Sequence, residues 1–183
     1  MKFGVFNPKL QNIDGLITNK KDKILSLTYA DCTPIFLFDK SKKVVANIHS
    51  GWQGTLKQIS KEAIKHMTNN YNCNTEDIIC VIGPTIRKGH FEVDEYVRNM
   101  FYNTFRNICD VDKFIYTGEI KNDKQKYYID TVYLNIQMLL QSGIIEENIV
   151  DSNICTVENS KFVHSYRVEN ENAGRNTAII GLI

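Results

Sequence analysis

The residues of this chain best suited to chemistry are a cysteine and a histidine at the two ends of a predicted hairpin. Apolar runs at 34–38 and 44–48 have the length and continuous hydrophobicity of buried strands. The lysine-rich turn between them predicts an antiparallel pair, which would bring Cys32, before the first strand, close to His49, after the second. A thiol beside an imidazole can bind zinc, or can act as a nucleophile with its base.

The neighbours of this pair indicate a constrained site. Asp31 stands directly before the cysteine, and an aspartate at the start of a buried strand is costly unless it is hydrogen-bonded. Gly51 and Gly54 enclose Trp52 and predict a tight turn of the backbone. We therefore treat Cys32 and His49 as candidate catalytic and metal-ligating residues. A buried thiol and a hydrogen-bonded histidine without a function are the alternative, and His90 and His164 are weaker candidates.

A second polar cluster lies in the segment 155–175. Four of its side chains are candidate substrate or phosphate contacts, namely Ser165, Tyr166, Arg167 and Arg175. The guanidinium fork matches phosphate oxygens, and the hydroxyls can orient a substrate hydroxyl. Surface ion pairs of the two arginines with Glu169 or Glu171 explain the same pattern equally well.

The composition is that of an ordinary globular protein with one domain over 1–183. Of its 183 residues, 43% are hydrophobic and 23% are charged, and the formal net charge is +1. This charge gives no reason to expect nucleic acid or a membrane surface as partner, and no apolar run reaches the roughly 18 residues of a membrane span. Five scattered cysteines without a CxxC pair fit a reducing compartment, and no signal peptide is recognisable. We therefore expect a cytoplasmic protein.

The apolar patterns predict strands that interleave with helices. Strands are predicted at 16–18, 24–28, 34–38, 44–48, 78–82, 149–157 and 177–183, the last of them inside a sheet. Helices are predicted at 55–69, 92–105 and 130–140, with a mixed strand-and-loop region at 110–123. Because no regular βαβ repeat emerges, we expect an α/β (α+β) fold of mixed sheets flanked by helices.

The motifs ADC-x-P-I, H-x-GW-x-G, IGP-x-I…FEV and CT…SYR…GR together resemble the YfiH/YlmD family of purine nucleoside phosphorylases. That family was long described as multicopper polyphenol oxidoreductases of laccase type, and the likeness runs from about Asp14 to Ile183. It implies a three-layer, YfiH-like arrangement of mixed sheets. It also implies phosphorolysis of adenosine, inosine and methylthioadenosine, with adenosine deaminase activity alongside. The partners would be a purine nucleoside and phosphate, and a homodimer is left open.

The resemblance also implies a metal site, usually zinc, with copper as the other candidate. Its ligands in the family are a histidine of a Q-V-H-G motif, the cysteine of ADC and the histidine of H-x-GW. Cys32 and His49 match the last two. No histidine precedes His49 in the sequence, so we expect a domain that is N-terminally short relative to the family, with weaker zinc binding and reduced activity. His164 as a replacement ligand is one conjecture.

Other departures from the family concern charge. Gln53 and Val168 stand where relatives usually have arginine, and His164 stands where they have phenylalanine, so positive charge is lost near the supposed phosphate region. Three functions therefore stay open. The first is a nucleoside phosphorylase. The second is copper-dependent phenol oxidation, or hydrolysis by a Cys32–His49 dyad. The third is a catalytically weakened member that edits cell-wall (peptidoglycan) precursors.

Overall fold

The computed structural model describes residues 3–4 and 13–183. The strands in these ranges are β1 (Phe3–Gly4), β2 (Gly15–Thr18), β3 (Ile24–Tyr29), β4 (Thr33–Asp39), β5 (Val44–Ser50), β6 (Ile78–Ile82), β7 (Glu92–Asp94), β8 (Ile115–Lys121), β9 (Lys124–Ile129), β10 (Ile149–Asp151) and β11 (Asn176–Gly181). The α-helices are α1 (Trp52–Leu56), α2 (Ile59–Tyr71), α3 (Glu95–Phe105), α4 (Thr131–Gln141) and α5 (Tyr166–Glu169). Each helix in this part of the chain is too short or too polar to cross a bilayer.

A mixed six-stranded sheet forms the centre, with the strand order β1-β2-β5-β4-β6-β10. The predicted hairpin is its middle: β4 and β5 pair antiparallel, with Pro34 opposite His49 and Thr33 opposite Ser50. Two further sheets, β11-β3 and β7-β9-β8, are not part of its strand ladder. The mixed α/β architecture predicted from the sequence is therefore confirmed.

Both faces of the hairpin are covered, which explains its continuous apolar runs. One face packs with α2 and α4 in the largest hydrophobic cluster. On the other face, fully buried Asn47 donates from Nδ2 to the main-chain oxygens of Leu25 in β3 and Ala178 in β11, at 3.1 and 2.9 Å. A strand enclosed on both sides has no solvent face for polar residues, so its sequence does not alternate between apolar and polar residues.

The helix predicted over 92–105 begins later than expected. Its first residues form β7, in which Glu92 pairs with Tyr128 of β9, and α3 starts at Glu95. Pairing with a strand buries Val93 and takes priority over helical periodicity. In a second core, Phe105 then stacks on Phe101 and meets Phe114 edge-to-face, with ring centroids 6.1 Å apart in each pair.

Three other boundaries differ from the prediction. The helix expected over 55–69 is two helices, α1 and α2, broken where Gln58 takes a left-handed φ of 57°. The strand expected over 149–157 ends at Asp151, because the chain then turns toward the bridge between Cys155 and Thr85. The last strand, β11, was expected in the interior of a sheet, but it pairs with β3 alone in a two-stranded sheet.

Candidate functional site

Cys32 and His49 face the same small space at the edge of the central sheet. A Cβ atom placed on Gly51 would lie 3.2 Å from Cys32 Sγ and 4.0 Å from His49 Nε2. Both ligand atoms therefore border the space beside the main chain of Gly51. The hairpin register brings the two residues together. His49 lies opposite Pro34, and Cys32 directly precedes Thr33, the last paired residue of β4.

Asp14 orients the histidine, and sequence reasoning missed it. The main-chain nitrogen of His49 donates to the Asp14 carbonyl at 2.7 Å, and Asp14 Oδ1 lies 3.6 Å from His49 Nδ1. A carboxylate beside Nδ1 leaves Nε2 to face the space beside Gly51, the arrangement common around metal-binding histidines. The contact depends on the β2–β5 register, in which Gly15 lies opposite Ile48, so no local motif could have revealed it.

The electrostatics of the pair favour neutral groups in the metal-free state. Burial raises the pKa of the Cys32 thiol to about 11, with further upward contributions from Asp31 and Asp14 that Arg175 opposes. Burial also lowers the pKa of His49, against the effect of Asp14. A neutral imidazole is the form that binds a metal, whereas a protonated thiol is a poor nucleophile. The metal-free pair is therefore poorly suited to a hydrolytic dyad, and ligation by Cys32 requires the thiol to lose the same proton.

Asp31 connects the Cys32 segment to the arginine segment. Its main chain is left-handed, with a φ of 73°, and its side chain is buried. Oδ1 accepts a hydrogen bond from Thr156 Oγ1 at 2.5 Å, and Oδ2 accepts one from the main-chain nitrogen of Arg167 at 2.7 Å. Its carbonyl accepts from Thr85 Oγ1 at 2.8 Å. The expectation that this aspartate is hydrogen-bonded is confirmed.

A cavity of about 460 Å³ opens over these groups, a size common for small-molecule sites. Five candidate or neighbouring side chains border it, namely Cys32, His49, Trp52, Tyr166 and Arg167, and Arg175 closes one side. Ser165 is fully buried and is not among the lining residues. Its Oγ has no hydrogen-bond partner in the described part of the chain. His164 packs against Gly174 and contacts Glu169, and it does not line the cavity either.

Neither arginine is neutralised by a carboxylate within residues 13–183. Arg167 donates to the main-chain oxygens of His90 and Glu92, at 2.8 and 3.1 Å. Arg175 uses Nη1 alone, for the oxygens of the two residues before it. Glu169, the expected ion-pair partner, instead accepts from the Ser165 nitrogen at 2.7 Å. Two guanidinium groups therefore border the cavity. Their N–H donors bond to main-chain carbonyls or are available to a ligand.

The fit to a metal can be judged from the donor set. Cys32 and His49 offer the sulfur and nitrogen donors that zinc accepts. Within the described residues, however, no third His, Cys, Asp or Glu joins them in a compact group. The compact group that does occur is His90, Cys155 and Glu158, which the sequence did not reveal.

Comparison with known proteins decides the family. A family model described as Multi-copper polyphenol oxidoreductase laccase matches residues 3–183. This chain belongs to that family. The family assignment from the sequence motifs is thus confirmed.

Individual relatives of this laccase family agree. The chain is 33% identical over 177 residues to purine nucleoside phosphorylase YlmD of Bacillus subtilis, which covers 97% of this chain and 61% of the relative. It is also 33% identical over 172 residues to purine nucleoside phosphorylase SERP0752 of Staphylococcus epidermidis, covering 94% and 61%. This chain thus spans about three fifths of the length of these relatives.

Solved structures confirm the fold of this laccase-family chain. The hypothetical protein YfiH of Bacillus licheniformis superposes with a TM-score of 0.84 at 30% identity, covering 93% of this chain and 61% of that one. YlmD of Geobacillus stearothermophilus gives 0.82 at 27% identity with the same coverage. The predicted YfiH-like arrangement of mixed sheets and helices is therefore correct.

Proposed function

We propose that this chain carries the site of a purine nucleoside phosphorylase acting on adenosine, inosine or methylthioadenosine with phosphate. The observation that carries the proposal is one cavity lined by the Cys32–His49 pair and by two arginines that have no carboxylate partner within residues 13–183. The printed names of the relatives from Bacillus subtilis and Staphylococcus epidermidis support the same activity. We place the protein in the cytoplasm, in keeping with its five free cysteines.

In phosphorolysis, a phosphate oxygen forms a bond to the ribose anomeric carbon while the bond from that carbon to the purine nitrogen breaks. The leaving base takes up a proton. Positive charge develops on the ribose, so the phosphate must be held close to it. Arg175 and Arg167 are the groups that bind and orient the phosphate, and Tyr166 offers a hydroxyl to the sugar. The apolar part of the wall, with Trp52 and Phe91, excludes water and accepts the purine.

Cys32 and His49 would hold the metal, zinc in our proposal and copper as the alternative, with Asp14 fixing the histidine ring. A zinc ion held there would supply Lewis acidity next to the substrate. Metal binding requires loss of the Cys32 proton, so it is coupled to pH. Adenosine deamination is proposed as a side activity of the same cavity.

The deciding experiment incubates the purified chain with adenosine, with and without phosphate. We expect free adenine and ribose 1-phosphate in equal amounts, only when phosphate is present, and little of either after Cys32→Ala. Ammonia and inosine would report deamination. Base release that ignores phosphate, or none at any zinc concentration, would refute the proposal.

A second function follows from the description of the family. Oxidation of phenols would require copper, and it would appear as oxygen uptake on addition of copper and a phenol. Activity unaffected by Cys32→Ala would instead favour a role that does not use this site, such as editing of peptidoglycan precursors.

A further inference from the structure

We propose that His90, Cys155 and Glu158 form a second divalent-metal site, best suited to zinc, behind the wall of the cavity. The imidazole nitrogen, the thiol sulfur and a carboxylate oxygen of the three residues all lie within 4.8 Å of one another. Nitrogen, sulfur and oxygen donors of these types are those that zinc accepts, with three protein ligands and one open position.

The two chain segments that bring the ligands together are fixed independently of any metal. Thr85 and Cys155 form a parallel bridge, in which Thr85 N donates to the Ile154 oxygen and Thr156 N to the Thr85 oxygen, both at 3.1 Å. Arg87, in the same loop as His90, makes two hydrogen bonds of 2.6 Å to Asp151. The site is therefore largely preorganised on both sides.

The three side chains differ in exposure, so the site has a path by which an ion can enter from solvent. Cys155 is only 3% exposed, whereas the side chains of His90 and Glu158 are 34% and 62% exposed. The buried thiol is fixed, and the carboxylate is free to rotate and to admit the ion from solvent. Cys155 and Glu158 are three positions apart at the start of a turn, a spacing that places both side chains on one side.

The geometry is close to that of a bound ion. A tetrahedral zinc with ordinary bond lengths holds its ligand atoms about 3.3–3.6 Å apart. His90 Nε2 and Glu158 Oε1 are 3.0 Å apart, and neither is more than 4.8 Å from the Cys155 sulfur, so a bound zinc would have to draw the three atoms together by about 1 Å at most. Without metal, the same two groups form a hydrogen bond, which is the competing explanation for their closeness.

An ion at this position would stabilise the substrate cavity without touching it. None of the three ligands lines the cavity, but Arg167 donates to the main-chain oxygen of His90, and Phe91 is a wall residue. A metal linking the 83–91 loop to the 155–165 segment would hold both in place. Its binding would raise the thermal stability of the folded chain by mass action.

The test starts from the Cys32→Ser, His49→Asn double variant. This variant lacks both proposed ligands of the first metal site, so metal binding can be assigned to the second site. Titration with Co²⁺ should give a sulfur-to-cobalt charge-transfer absorption, and Zn²⁺ should displace it with about one equivalent bound. Glu158→Gln in this background should weaken metal binding at least about tenfold. Glu147→Gln, an exposed glutamate away from the site, is the matched control and should have no effect.

Absence of the cobalt–thiolate band in a folded double variant would overturn the proposal, as would equal binding by the two glutamate variants. If the double variant does not fold, the two glutamate variants are compared in the unmodified chain, where Glu158→Gln must remove one zinc equivalent and Glu147→Gln none. Phosphate-dependent base release is measured separately, so the failure of either proposal is distinguishable from that of the other.

Discussion

Asp31 and Arg167, which are 136 positions apart in the chain, are joined by a hydrogen bond of 2.7 Å from the arginine main-chain nitrogen to Oδ2 of the aspartate. The other carboxylate oxygen accepts from Thr156. One buried side chain thus sets the distance between the Cys32–His49 pair and the arginine segment. Both halves of the proposed site depend on it.

We predict that Asp31→Asn loosens the arginine side of the cavity. Asparagine tolerates the left-handed backbone, and its amide oxygen can still accept from the Arg167 main-chain nitrogen. Its NH2 group then faces Thr156 Oγ1, which must change from donor to acceptor, and both hydrogen bonds lose the strength that the carboxylate charge gives them. The expected cost is about 1–3 kcal/mol of unfolding free energy, measured by urea denaturation, together with a raised KM for phosphate. Asp22→Asn is the control, since Asp22 is also left-handed but exposed. Equal effects of the two changes would contradict the assignment.

Gly51→Ala should weaken metal binding between Cys32 and His49. The new methyl would lie 3.2 Å from the sulfur and occupy the space that an ion shares with both donors. The glycine has a φ of −70°, so alanine adds no backbone strain. We expect zinc affinity to fall at least about tenfold while the melting temperature changes little.

The matched control is Gly54→Ala, whose Cβ would make ordinary contacts of 3.5 Å and more. Unchanged zinc affinity in the Gly51 variant, measured by competition with a chromophoric chelator, would show that the ion lies elsewhere.

Removal of the Arg175 charge should raise the KM for phosphate more than it lowers kcat. The guanidinium borders the cavity and hydrogen-bonds only through Nη1 in the described chain. Arg175→Gln is therefore expected to raise the KM for phosphate at least about tenfold, with little change in that for adenosine. Arg106→Gln, at the end of α3, controls for net charge. A KM for phosphate that stays the same would remove Arg175 from the phosphate site.

The Arg87–Asp151 pair should make stability dependent on acid pH. Burial alone would raise the pKa of Asp151, but its hydrogen bonds with Arg87 and with the Asn153 main chain outweigh this and hold the pKa below its usual value. Because the folded pKa is depressed, the stabilisation is complete above the unfolded pKa of about 3.9 and is lost as the pH falls through the folded value.

Asp151→Asn should therefore cost about 1–3 kcal/mol at pH 7 in urea denaturation, and the difference from the unmodified chain should shrink below about pH 4. Asp112→Asn, at an exposed position, should show no such difference at either pH. A cost that stays constant down to pH 2 would mean that the charge of Asp151 does not contribute.

The central hairpin could be predicted because two continuous apolar runs of strand length, separated by a short charged turn, are compatible with few structures other than an antiparallel pair. The proximity of Cys32 and His49 follows from that pairing alone. In contrast, β9 was missed because its residues Lys124–Ile129 lack an apolar run, and its pairing with β7 is a tertiary effect. The contact of Asp14 with His49 depends in the same way on strand register.

The second metal group was beyond sequence reasoning for a related reason. His90 and Cys155 are brought together by one bridge at Thr85, and no spacing rule links the two segments. His90 alone is an ordinary polar residue, and Cys155 alone is a small buried side chain. Only their placement in the fold gives them a common role.

The enclosure of β4 and β5 between the helices and the β3–β11 sheet should make the edge that carries Cys32 and His49 one of the last parts of the chain to unfold. The amide protons of these two strands should exchange with deuterium only when the whole molecule opens, since no partial opening exposes them. The β8–β9 hairpin, which is exposed along much of its length, should exchange first. The Cys32–His49 pair, which we propose as metal ligands, should then persist in denaturant after much of the surface that surrounds it has unfolded.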